Sequence, residues 1–286
     1  MKNSKNIEEY KRVIWSYYQS HKRAMPWRPP QLPLQKNGTL NAYAIFISEV
    51  MLQQTQVSRV MTKYPLFIKA FPSFEKLANA PLSDVLLIWQ GMGYNRRAKF
   101  LKSSAEMVIS KFDGTLQDEA SLLEQLPGIG PATARSIVTF IHNKPELFIE
   151  TNIRRVMIHH FFPEREVVDD RDIIPYIDQI IDKKNPREWY YALMDYGTWL
   201  AKGVINPNRK SKHYTKQSKF EGSNRQIRGE ILRLVLSNGT IQKDSFSEFF
   251  SFDQKRIYAI LDELVGEQMI FQKNDTYSID EEKLSK

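Results

Sequence analysis

A single carboxylate interrupts the most apolar stretch of the sequence. Residues 42–54 read Ala-Tyr-Ala-Ile-Phe-Ile-Ser-Glu-Val-Met-Leu-Gln-Gln, and Glu49 sits in their middle. Burying an acid is costly unless it is paired or protonated, and burial raises its pKa toward the range of a general acid. The plainer reading is a narrow polar stripe shared with Gln53, one turn on. A second acid, Glu150, follows the apolar Leu147-Phe148-Ile149 and stands where a helix should begin, so it either complements the helix dipole or serves as a second active-site carboxylate.

About twenty residues before Glu150 lies Leu126-Pro-Gly-Ile-Gly-Pro-Ala-Thr-Ala134, a glycine-rich turn between two helical patterns. Gly128 and Gly130 can bare their amides, and Pro131 suits the first position of the following helix. Such a helix start attracts an anion, so Gly128, Gly130 and Thr133 are candidates for holding a backbone phosphate. An ordinary helix-helix turn is the alternative. Gly91-Met-Gly-Tyr-Asn-Arg-Arg97 is a second glycine turn, carrying an aromatic and two cations. It either pushes a side chain into a base stack or is simply a turn. Trp27 and Arg28, after a proline, could stack on and hydrogen-bond a base, or form an aromatic plug with a surface arginine.

The elements that position these residues are helical. Apolar residues recur at helical spacing over 7–22, 42–54, 56–71, 73–80, 82–90, 94–112, 119–126, 132–142 and 153–162, with short connections. Pro29 to Asn41 is a loop. The chain of 286 residues, 42% hydrophobic, can bury a substantial core and make more than one domain. A net charge of +8 favours a polyanionic partner. No run of about 18 apolar residues and no basic-then-apolar leader is visible, so a cytoplasmic protein is expected. With no cysteine there is no disulfide and no thiolate metal site, and the five histidines show no ligand spacing. Lys202 to Arg228 is dense in like charge, with Arg209, Lys210 and Lys212 among its cations, and reads as a solvated linker or as a set of phosphate contacts. Residues 226–286 read helix, helix, helix, hairpin, which resembles a winged helix; Lys255 and Arg256 on its third helix could touch DNA, while the domain's acid content fits a protein-contact or purely structural role equally well.

Four motifs occur in one order and spacing: Glu49-Val-Met-Leu-Gln-Gln-Thr-Gln-Val57, Trp89-Gln-Gly-Met-Gly-Tyr94, Leu126-Pro-Gly-Ile-Gly130 and Met194-Asp-Tyr-Gly197. They resemble those of the helix-hairpin-helix base-excision DNA glycosylases, most of all the MutY-type adenine glycosylases, over residues 8 to 202, and Met25-Pro-Trp-Arg28 fits too. The resemblance implies a mainly α, two-lobed fold: a lobe of 1–40 plus 147–202, a six-helix barrel over 41–146 containing the hairpin at about 119–142, and a cleft between them. A basic linker at 203–225 and the winged-helix-like α+β domain at 226–286 follow.

The resemblance also assigns roles. Glu49 protonates the flipped purine, most plausibly at N7, and Glu150 falls where the family has an aspartate that steadies the oxocarbenium-like sugar. Arg28, Tyr43 and Asp195 line the base pocket, and Gln54, Met92 and Tyr94 form the wedge that fills the gap in the duplex. Four departures qualify this. Glu150 is one methylene longer than aspartate. Ala132 stands where bifunctional relatives have a lysine, which implies base removal without strand cleavage. The four cysteines of the family's iron–sulfur cluster are absent, so no cofactor is expected. The family's Nudix-like domain also gives way to the winged helix. The expected function is a monomeric, monofunctional glycosylase acting on double-stranded DNA at the nucleoid, removing adenine opposite 8-oxoguanine or guanine. The alternatives are the same scaffold cutting uracil, thymine or hypoxanthine, or a catalytically weak lesion-binding protein.

Overall fold

The structure is a computed structural model that describes residues 2–32, 40–216 and 219–284. Residues 33–39 of the expected loop, 217–218 of the expected linker and the terminal positions lie outside the described residues. The chain is mainly helical. In order come α1 (Lys2–His21), α2 (Ala42–Leu52), α3 (Val57–Ala70), α4 (Phe74–Ala78), α5 (Leu82–Trp89), α6 (Arg96–Phe112), α7 (Ala120–Leu123) and α8 (Pro131–His142). Then follow α9 (Thr151–Phe161), α10 (Asp170–Ile180), α11 (Pro186–Gly203), α12 (Asn224–Asn238), β1 (Thr240–Gln242), α13 (Phe246–Phe249), α14 (Gln254–Gly266), β2 (Phe271–Lys273) and β3 (Thr276–Ser278).

Local chemistry sets the boundaries. Pro131 occupies the first turn of α8 behind Gly130, and Pro186 does the same for α11. Asp113 and Asn143 end α6 and α8 in the left-handed conformation. Asp169 and Asp172 form a capping box at α10, a helix that the sequence reading left out.

The contacts group the chain into two compact units. The first comprises Met1–Glu49, Gln117–Gln125 and Ile129–Lys216; the second comprises Val50–Leu116, Leu126–Gly128 and Gln217–Lys286. In the first, α11 packs on α9 and α1, burying Ile14, Ile153, Val156, Met157 and Trp189. Residues 207–212, expected in a solvated linker, are instead built in. A 3-10 helix over Pro207–Lys210 packs on α9, Asn208 donates to the Thr151 carbonyl at 3.0 Å, and Ser211 bridges to Val168. Pro207, Asn208 and Ser211 are buried there, which outweighs the charge density that suggested a free tether.

In the second unit, α4 and α5 pack against α6 around Phe67, Trp89, Leu101 and Val108. The C-terminal part has winged-helix order, with α12, α13 and α14 beside an antiparallel sheet β1-β3-β2. Thr240 pairs with Ser278 and Lys273 with Thr276. Glu267 ties this part to α6: Arg96 donates to its carboxylate, Lys99 donates to its carbonyl at 2.5 Å, and Arg228 of α12 donates to the same carboxylate. Arg256 donates to Asn224 Oδ1 at 2.8 Å and to the Gly222 carbonyl at 2.7 Å, so its guanidinium serves as an internal tie.

Candidate active site

Glu49 lies on α2, whose residues 43–48, Val50 and Met51 are all buried. Glu49 itself is half-buried. Ser136, on the buried face of α8, donates its hydroxyl to Oε2 at 2.7 Å. Burial pushes the Glu49 carboxyl from its ordinary 4.5 up to about 7; the Ser136 hydrogen bond and the Arg28 charge hold it down, and the Glu150 charge adds to the rise. A carboxyl so placed carries its proton for about half of the time near neutrality.

Glu150 caps α9. Its Oε1 accepts from the backbone amides of Asn152 and Ile153, both at 2.7 Å, and its Oε2 accepts from Asn152 Nδ2 at 3.1 Å. Burial raises its pKa, opposed first by those amides and then by Asn152 Nδ2 and the Arg155 charge. Asn152 is itself fixed, because its Oδ1 accepts from Arg155 at 2.7 Å while Arg155 also donates to the Gly197 carbonyl at 2.9 Å.

Arg28 is 3% exposed, which excludes the surface-arginine reading, and Trp27 beside it is buried. Its guanidinium donates to Asp195 Oδ1 at 2.9 Å and lies 4.2 Å from the centre of the Tyr191 ring. Arg23 takes the rest of Asp195, through Nε to Oδ1 at 2.7 Å and through its amide to Oδ2 at 2.9 Å. Asp195, 1% exposed, is thus occupied on both oxygens, and its observed part is to hold two arginines. Tyr43, also expected at the pocket, is buried in α2.

In the second unit Gln54 and Tyr94 share an unusual backbone, with φ of +50° and +48°, and both are exposed. Met92, expected beside them in the wedge, is 1% exposed and belongs to the core. What holds the two exposed residues is Arg97, one of the two cations of the glycine turn, which is buried. It donates to the carbonyls of Val50, Met51, Gln53 and Gly93 at 3.1, 3.0, 2.5 and 3.2 Å, and to Thr55 Oγ1 at 2.7 Å. The carbonyls at the end of α2 lack helical donors, and this side chain supplies them. Burial lowers the Arg97 pKa to about 10, which leaves it charged. The signal that could have found it was its place one residue after another arginine at the start of an amphipathic helix, on the apolar face with Leu101 and Val108.

Gly128 takes φ +77°, and a Cβ there would stand 2.6 Å from Phe100 Cδ2, so the position excludes any larger residue. Gly130 is the N-cap of α8, and Thr133 lies in its first turn, half-buried, with its carbonyl accepting from Ser136. Of the basic residues after α11, Lys210 donates to the Pro163 carbonyl at 2.5 Å, Lys212 lies 3.3 Å from Asp169, and Arg209 is exposed.

Residues 47–173, which include both carboxylates, the two glycine turns and Ser136, match the HhH-GPD superfamily of base excision DNA repair proteins. This stretch of the chain belongs to that superfamily. The HhH-GPD domain is similar in sequence to curated adenine DNA glycosylases. That of Buchnera aphidicola subsp. Baizongia pistaciae is 35% identical over 152 residues, 53% of this chain and 41% of that protein. That of Buchnera aphidicola subsp. Acyrthosiphon pisum is 32% identical over 192 residues, 66% of this chain and 52% of that protein. The chain thus spans about half of the length of these relatives. A solved thermostable thymine-DNA glycosylase shares the fold, with a TM-score of 0.59 at 20% identity over 69% of this chain and 88% of that one. The helix-hairpin-helix fold expected for the HhH-GPD domain is therefore present. Among the described residues no helix is long and apolar enough to cross a membrane, and no group of three or more His, Asp or Glu could hold a metal ion.

Proposed function

We propose that the chain is a monofunctional DNA glycosylase of base excision repair, which hydrolyses the N-glycosidic bond of an adenine flipped from a mispair with 8-oxoguanine or guanine. The observation that carries the reading is the pair of carboxyls with unlike surroundings. Glu49 has one hydroxyl donor and a pKa near 7, whereas Glu150 accepts two backbone amides and a side-chain amide. The first is suited to hold a proton and the second to remain an anion.

The chemistry follows from that division. Glu49 gives its proton to N7 of the base, the C1′–N9 bond breaks, and the departing adenine carries the electron pair. Glu150 faces the electron-poor sugar with Oε2, which accepts only one hydrogen bond, and takes a proton from the attacking water. Arg28, clamped by Asp195 and Tyr191, keeps a buried Nε with no hydrogen-bond partner among the described residues, and supplies a donor for the base. Gln54 and Tyr94 fill the space that the base leaves, while Met92 stays in the core. The amides at Gly128 and Gly130 hold a phosphate, and Arg209, with Lys210 and Lys212, adds salt-dependent affinity. Ala132 provides no amine for a Schiff base, so the product is an intact strand with an abasic site. The chain, without cysteine, works without an iron–sulfur cluster.

The test is a panel of duplexes, each with one mispair, incubated with the intact chain and then treated with alkali. The proposal expects alkali-labile sites at adenine opposite 8-oxoguanine or guanine, and no nicking before alkali. Cleavage only at uracil, thymine or hypoxanthine would replace the substrate, and tight binding with no abasic product would replace catalysis by lesion binding.

A further inference from the structure

The hydroxyl beside Glu49 has two acceptors and one proton. Ser136 Oγ lies 2.7 Å from Glu49 Oε2 and 3.0 Å from the Thr133 carbonyl, one turn back in α8. Ser136 is 5% exposed, so water does not easily substitute for either contact. Both oxygens cannot receive the proton at full strength at once. With Glu49 ionised, the hydroxyl donates to the carboxylate. With Glu49 protonated, the same hydroxyl turns to Thr133 and leaves a lone pair for the acid proton.

We propose that Ser136 is a positioning residue for proton delivery by Glu49, its hydroxyl swinging from the Thr133 carbonyl to Glu49 as the acid proton departs. The inference takes its catalytic meaning from the glycosylase reading above. The balance is simple: an O–H bond of Glu49 breaks, an N–H bond on the base forms, and Ser136 keeps its own proton while exchanging acceptors. The swing supplies a charge-assisted hydrogen bond to the carboxylate only as that charge develops, which is where a donor assists the reaction. Among the described residues, the charged or titratable groups that act on Glu49 are Arg28 from the segment after α1, Glu150 at the start of α9 and Tyr191 on α11.

The test titrates Glu49 directly. The full chain is labelled with 13C at the glutamate carboxyls, the Glu49 signal is identified by its loss in Glu49→Gln, and its midpoint is followed by NMR in wild type, Ser136→Ala and Ser136→Thr. Removing the hydroxyl should raise the midpoint by about one pH unit, a tenfold change in proton affinity, and threonine should return it toward wild type. Single-turnover base release should lose its alkaline limb at correspondingly higher pH in Ser136→Ala, with about a tenfold lower plateau and unchanged duplex Kd. Ser136→Cys, with a weak S–H donor, gives an intermediate midpoint and serves if the alanine variant unfolds. A midpoint that is the same in Ser136→Ala, Ser136→Cys and wild type overturns the proposal. The titration needs no turnover, so a chain that releases no base from any duplex refutes the glycosylase reading while the midpoints still decide on Ser136.

Discussion

A Cβ placed on Gly197 would stand 2.6 Å from the carbonyl oxygen of Asn152 and 2.8 Å from its Cβ. The closeness of α11 and α9 at this point fixes Asn152, and Asn152 in turn donates to Glu150 through both its amide and its side chain. Glycine at 197 thus acts on the carboxylate from a neighbouring helix. Gly197→Ala should force the helices apart at a cost of about 2 kcal/mol or more, since backbone atoms cannot give way as a flexible side chain can. Thermal unfolding should show the loss. A stability equal to wild type would mean that the contact is softer than the geometry states.

Glu49 is kept at the expense of stability at high pH. Its midpoint in the folded chain, about 7, lies above its ordinary 4.5, so the fold favours the protonated form. The stability associated with that proton is fully present below about pH 4.5 and is lost as the pH rises through about 7. The difference corresponds to about 3 kcal/mol. Glu49→Gln keeps the shape and never ionises, so chemical denaturation should show a shallower decline between pH 5 and 8 than in wild type. Some decline persists, because the pKa of Glu150 is raised in the same direction. Equal slopes in the two proteins would contradict the burial cost assigned to Glu49.

Glu150 has two duties that substitution can separate. Aspartate is a good N-cap, so Glu150→Asp should stay within about 1 kcal/mol of wild type while moving the carboxylate by about 1 Å, a displacement that costs roughly 10²-fold in rate. Glu150→Ala should lose the cap, about 1 kcal/mol, and lower base release further. Calorimetry paired with single-turnover rates checks both. Unchanged turnover in Glu150→Ala would remove this residue from the chemistry.

Arg97 should be the most sensitive position of the second unit. Arg97→Met takes the guanidinium donor away from the carbonyls of Val50, Met51 and Gln53, of which Val50 keeps the Gln53 amide, at an expected cost of about 3 kcal/mol, and frees the turn that carries Tyr94. Lysine has no planar fork and should not restore it. Hydrogen exchange at residues 91–97 should accelerate in both variants, and protection equal to wild type would contradict the role.

The helices were legible because apolar spacing and punctuation by Gly and Pro are local signals. Glu49 stood out for the same reason, as one charge in an apolar helix. What the sequence hid were partnerships set by the fold. Ser136 is 87 positions from Glu49, and nothing in the serine itself announces the contact. Arg97 and Asp195 are charged, and charge suggests the surface, yet each is buried against donors or acceptors supplied by other segments. Residues 207–212 were misleading for a related reason. Their cations point outward, while Pro207, Asn208 and Ser211 do the packing. The α10 helix was overlooked because Pro175 lies inside it.

The central claim is that Glu49 passes its proton to a flipped adenine. The most direct measurement quantifies free adenine released in a single turnover from a duplex with adenine opposite 8-oxoguanine, by wild type and by Glu49→Gln at the same bound fraction, from pH 5 to 9. The account predicts release by wild type that declines as the pH passes about 7, and a loss of at least about 10²-fold in the variant. Release by Glu49→Gln at the wild-type rate, or bound duplex that yields no free base with wild type at any pH, would contradict it.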